Sequence, residues 1–141
     1  MLLKEDRLCN LYSRASGHTR VHAVISDGSG TNIARGELVM KDANNNQVIA
    51  WTTSSKIAGI AVEPSTAAST RILVDFFANA EAMWADADSD PAANLFSMID
   101  GDRNSVDPTV STNDDFLAIE SGDTDRLFVY PNDILIGTNG T

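Results

Sequence analysis

The chain has 141 residues, 43 % of them apolar, and a formal charge of −10. That size and apolar share suit one domain able to bury about two thirds of its unfolded surface, which excludes wholesale disorder and any need for a disulfide or metal staple. The single cysteine, Cys9, excludes an internal disulfide, and the acidic balance disfavours direct nucleic-acid binding by the body, because phosphate binding needs a basic surface.

The charge is unevenly spread. Residues 1–71 hold eight basic and six acidic side chains, whereas residues 72–141 hold only Arg103 and Arg126 against fourteen acids. Basic groups lead at the N-terminus, where Lys4, Arg7, Arg14 and Arg20 face only Glu5 and Asp6. Three residues precede Lys4, so no signal-type apolar region is expected. The apolar run at 72–80 contains Asp75 and Asn79 and is too short for a membrane-spanning helix.

Residues 1–19 show neither the helical nor the strand period. Leu2, Leu3, Leu8 and Leu11 lack the cap and sustained spacing a helix needs, so this stretch is expected to be an extended arm that orders on a partner. Residues 20–25 then predict a β-branched strand, followed by the turn Asp27-Gly28-Ser29-Gly30. Residues 33–40 predict a second strand, bulged or bent at Gly36. The loop at 41–46 contains three asparagines, which tolerate left-handed backbone and close a hairpin onto a strand at 47–52. Residues 57–62 form a small-residue apolar strand, IAGIAV, suited to close backbone approach.

A turn at 64–69 leads to the most apolar strand, 70–77. Residues 81–85 alternate weakly, with Met83 between Ala82 and Trp84, and an acidic loop covers 86–91. Asp90 as N-cap and Pro91 in the first turn predict a short helix ending at 99. Residues 100–115 read as a long polar loop. Residues 116–119 and 127–130 predict a hairpin around 121–125, and 133–136 a last short strand before a tail at 137–141. Short strands about ten residues apart, with one helix, indicate an all-β barrel or sandwich body over 20–136.

Few residues suggest chemistry. Asp86, Asp88 and Asp90, and likewise Asp100, Asp102 and Asn104, resemble the opening of a calcium loop, but the second set has Ser105 where that loop needs glycine and Ser111 where it needs glutamate. His18 and His22 have the four-residue spacing of helical zinc ligands in a stretch that opposes a helix. No G-x-S-x-G is present, and the glycine-rich 26–31 lacks the lysine and following helix of a phosphate loop. Trp51 and Trp84 could stack on a sugar or pack in a core. The residues therefore indicate no enzyme, no metal and no cofactor.

A strand entered through glycine (Arg35-Gly36-Glu37-Leu38-Val39) leads to an alanine-bearing strand (Val48-Ile49-Ala50). Lys-Ile-Ala-Gly-Ile-Ala-Val-Glu from Lys56 to Glu63, the small-residue turn at 64–69 and Arg71-x-x-Val74 follow. This pattern, with Asn94-Leu95-Phe96-Ser97-Met98-Ile99, Asp114-Asp115-Phe116-Leu117-Ala118-Ile119 and Arg126-Leu127-Phe128-Val129-Tyr130, resembles the head decoration, or cement, proteins of tailed bacteriophages. The resemblance implies a β-barrel or β-tulip body on the outer face of a capsid. It would be made in the host cytoplasm, sit at junctions of the major capsid protein, self-associate as trimers or dimers, and have no catalytic residues, cofactor, nucleic acid or membrane partner. The arm has no counterpart in that pattern. Its apolar and basic side chains Leu2, Leu3, Arg7, Leu11 and Arg14 are the expected capsid contacts. The rival expectations are a tail or head-fibre component, a carbohydrate-binding β-sandwich suggested by the tryptophans and acidic loops, and a small hydrolase.

Overall fold

In the computed structural model, which describes residues 21–77, 82–122 and 125–135, the chain forms ten strands in two sheets. The first five are β1 (Val21–Ser26), β2 (Leu38–Lys41), β3 (Val48–Ala50), β4 (Gly59–Ala61) and β5 (Thr70–Phe76). They close a barrel in the order β1-β3-β2-β4-β5. β1 runs antiparallel to β5 from Val21 opposite Asp75 to Ser26 opposite Thr70, and Ser26 also meets Val48 of β3 in parallel.

Turn chemistry sets these registers. The Glu37 N–H donates to the Ala34 carbonyl at 3.2 Å with Gly36 at φ 88°, a conformation open to glycine, so the chain turns just before β2. Asp42 accepts hydrogen bonds from the Asn44 N–H and the Asn45 side chain, at 2.9 and 3.1 Å, which shapes the asparagine loop between β2 and β3. A Cβ on Gly59 would sit 2.3 Å from the Asp75 carbonyl oxygen, so the close approach of β4 to β5 requires glycine there.

Successive strand residues face opposite ways. Val39, Ala58 and Ala61 join Ile33, Val48, Ala50, Ile72 and Val74 in one buried cluster of the barrel. Their neighbours Leu38, Ile57 and Ile60 join a second cluster with Trp51, Phe77 and the other sheet. Leu38 and Val39 of β2 and all of β4 are thus buried on both faces, which explains the unbroken apolar run at 57–62. Each fully buried Leu or Ile contributes roughly 1.5–3 kcal/mol.

The second sheet has the order β6-β10-β9-β7-β8, from β6 (Met83–Asp86), β7 (Met98–Asp102), β8 (Ser105–Asp107), β9 (Phe116–Ser121) and β10 (Arg126–Pro131). It curls until Ala87, just past β6, bridges Val106 of β8. Met83, Ala85, Ile99, Val106, Phe116, Ala118, Leu127 and Val129 point into the core shared with the barrel. Ile134 returns to bridge Ile57 in parallel, inside the expected strand at 133–136 as far as the described residues reach.

Two expectations are corrected. No helix forms at 91–99, where residues 91–96 are turns and Met98 begins β7. The start signal is real: the Asp90 carboxylate accepts the Ala92 N–H at 3.0 Å. It is then outweighed by long-range pairing, because the Asn94 side chain bonds the Pro108 carbonyl and the Phe96 N–H donates to Ala118 of β9 at 2.8 Å. The polar stretch 100–115 is likewise not one loop, since it holds the end of β7 and all of β8.

Candidate functional site

The barrel and the second sheet are joined by buried carboxylates. Glu37, just before β2, accepts the Ala34 N–H at 2.6 Å, pairs with the Arg103 guanidinium at 3.2 Å and takes a bond from the Asn104 side chain at 3.4 Å. Arg103 lies in the β7–β8 turn, and its carbonyl accepts the Leu38 N–H at 2.7 Å. A second clip centres on Asp115, 7 % exposed. It accepts the Thr53 hydroxyl, the Ser54 N–H at 2.9 Å and the Gly101 N–H at 3.1 Å, so one side chain ties the loop after β3 to β7. Asp100 holds the Asn113 and Asp114 N–H groups at 2.6 and 3.0 Å, which fixes the approach to β9. Buried carboxylates satisfied by several donors act as rigid joints rather than reactive groups.

The outward face of the second sheet is unlike its surroundings. In β10, Leu127 and Val129 point inward, leaving Arg126, Phe128 and Tyr130 on the other side. Trp84 of β6 lies opposite Phe128, with ring centres 5.0 Å apart, and Phe128 stands edge-on to Tyr130 at 6.1 Å. The Arg126 guanidinium lies over the Trp84 ring at 5.3 Å. In the next row Tyr130, Leu117 and Met98 are cross-strand neighbours on β10, β9 and β7. All of these are half-buried, and none belongs to either core cluster. Beside β9 stands Phe96, 77 % exposed, its backbone in the left-handed region at φ 63° and pinned to Ala118.

Other expected positions resolve as follows. Leu2, Leu3, Arg7, Leu11 and Arg14, with Cys9 and His18, lie outside the described residues. His22 is exposed on β1, a strand rather than a helix, with its ring 6.1 Å from that of Phe76. Trp51 is buried at 1 % exposure, donates its indole N–H to the Ser55 carbonyl at 2.8 Å and meets Phe116 edge-on, so it offers no sugar-stacking face. Asp86, Asp88 and Asp90 are strung from β6 into a turn, while Asp100 and Asn104 are engaged as above, and among the described residues no group of three or more His, Cys, Asp or Glu side chains could hold a metal ion.

A cleft of about 470 Å³ opens between the barrel and the β7–β8 turn, lined in part by Asp27, Thr31, Ile49, Trp51, Asp102 and Arg103. Its polar lining is Asp27, Thr31, Thr52, Asp102 and Arg103, with no histidine, cysteine or serine among the described lining residues. The shifted carboxyls are loop formers. The Ser29 hydroxyl and N–H hold Asp27 below the ordinary carboxylate range, the Asn44 N–H does so for Asp42, and the Thr109 hydroxyl and N–H do so for Asp107.

Residues 13–76 match the family model described as phage cement protein. The match ends at the last residue of β5, so it runs through all five barrel strands and stops before the second sheet. It supports a phage capsid cement protein and bears out the resemblance read from 35–74, while the segments of β7, β9 and β10 that shared the resemblance lie outside the matched residues. No curated protein and no solved structure matches the chain.

The hairpin pattern of β9 and β10 does not by itself reveal the outward face. FLAIES and RLFVYP carry apolar residues at both phases of the strand period, and that doubling was the available signal. The clips at Glu37 and Asp115 carry no such signal, since the partners that cross between barrel and sheet lie 61 to 67 positions away.

Proposed function

We propose that this protein is a structural component of a phage virion that binds the outer surface of the capsid and stabilises it across junctions of the major capsid protein. The observation that carries the reading is the cement-family match along the whole barrel. The construction of the body supports it: two sheets share one core and are pinned by buried carboxylates, which suits a brace better than a turnover site. Specific protein interfaces bury about 1,200–2,000 Å² in total, and repetition over a shell multiplies the effect.

In this reading the chain divides into an arm at 1–19, a body at 20–136 and a tail at 137–141. The arm reaches the shell through Leu2, Leu3, Arg7, Leu11 and Arg14, copies associate as trimers or dimers, and neither cofactor nor catalysis is involved. The test is co-sedimentation with expanded heads that lack the protein. Full-length protein should pellet with the heads, and protein lacking residues 1–19 should stay folded and bind at least tenfold more weakly. Equal binding by the truncated form would remove the arm from the account, and failure of the intact protein to pellet would end the reading itself.

A further inference from the structure

The second sheet carries a surface that the core does not use. An antiparallel sheet with one face on the core normally turns polar side chains to solvent. Here the opposite face presents Trp84, Phe128, Tyr130, Leu117 and Met98 in two adjoining rows, and the exposed Phe96 is held beside β9 by its bond to Ala118. Phe96 is the more telling residue. Its left-handed backbone is held by the bond from its N–H to the Ala118 carbonyl, and that hold leaves the ring 77 % exposed beside β9. A large aromatic ring left to solvent on a fixed backbone is available to a partner.

The surroundings indicate what kind of partner. Asp86 and Glu120 stand on this face beside Arg126 and Phe128, so its charged groups are two carboxylates and one guanidinium. With two carboxylates against one arginine on this face, an apolar patch bordered by lysine or arginine would meet both its centre and its rim. We infer that this face is the docking surface for the shell itself, laid against a region of the major capsid protein that is apolar at its centre and basic at its border. The inference rests on the capsid-binding reading and names the part of the body that meets the shell alongside the arm. The matched barrel then supports a second contact, the outward face of the second sheet.

The test uses the full chain in two variants and the same heads. Phe96→Asn removes the exposed ring while supplying a residue that tolerates left-handed backbone, so its melting temperature should equal or exceed that of the parent. Glu120→Lys reverses a rim charge at an exposed position. Each should weaken binding to heads at least tenfold, and binding by the parent should weaken as salt rises. Parent-like binding by both variants would overturn the inference and leave the capsid reading standing. A parent that stays in the supernatant would overturn both. A parent that is dimeric without heads and becomes monomeric on Phe96→Asn would show that a second copy occupies the face, and would also overturn the inference.

Discussion

Replacing Asp115 with alanine tests whether barrel and sheet act as one body. The carboxylate accepts bonds from the Thr53 hydroxyl, the Ser54 N–H and the Gly101 N–H, and it is 7 % exposed. A hydrogen bond to a charged group contributes about 1.5–3 kcal/mol, and a buried donor left without a partner costs about 1–3 kcal/mol. Three bonds sharing one acceptor do not add in full, so the loss should be roughly 3–5 kcal/mol. For a chain of this length that corresponds to a fall in melting temperature of roughly 10–20 °C. Trp51 reports the event, because its ring packs edge-on to Phe116, the next residue after Asp115. Urea unfolding followed by tryptophan fluorescence and by circular dichroism should show the lower midpoint, and Asp115→Asn should lose less because one acceptor oxygen remains. A variant within about 0.5 kcal/mol of the parent, the scatter of ordinary surface changes, would refute the idea that this residue joins the two sheets.

Two further outcomes are expected. Gly59→Val should destabilise by about 3 kcal/mol or more or fail to fold, since even its Cβ would lie 2.3 Å from the Asp75 carbonyl oxygen; soluble expression and a thermal melt decide this, and a parent-like melt contradicts the close approach of β4 and β5. Asp107 is held below the ordinary value of 3.8 by Thr109, so it contributes stability that is full above the unfolded-state value and is lost as pH falls through the lower folded-state value; Asp107→Asn should therefore lose less stability than the parent on acidification below about pH 4, measured by urea midpoints at each pH.

The barrel strands were legible because their punctuation is local. Asp27 with Ser29, Asp42 with Asn44 and Asn45, and Gly36 each form their turn from residues within a few positions. The stretch from 90 to 115 was not legible, because its outcome is set at a distance. Asp90 opens a helical turn, yet Asn94 bonds Pro108 and Phe96 bonds Ala118, and the acidic β7 becomes a strand because Asp100 and Gly101 are taken up by Asn113, Asp114 and Asp115. Asp100 thus resembles a calcium ligand in sequence and serves as an internal acceptor in the fold. Trp51 shows the same divide: its spacing could not say whether it stacks on a ligand or on Phe116, and its 1 % exposure decides for the core.

The central claim is that this chain braces a capsid from outside, and the most direct measurement is a heat challenge of heads with and without it. Heads that carry the protein should release their contents at a temperature several degrees above bare heads, with the gain saturating once every binding position is filled. Release at the same temperature, with the protein demonstrably bound, would contradict the account.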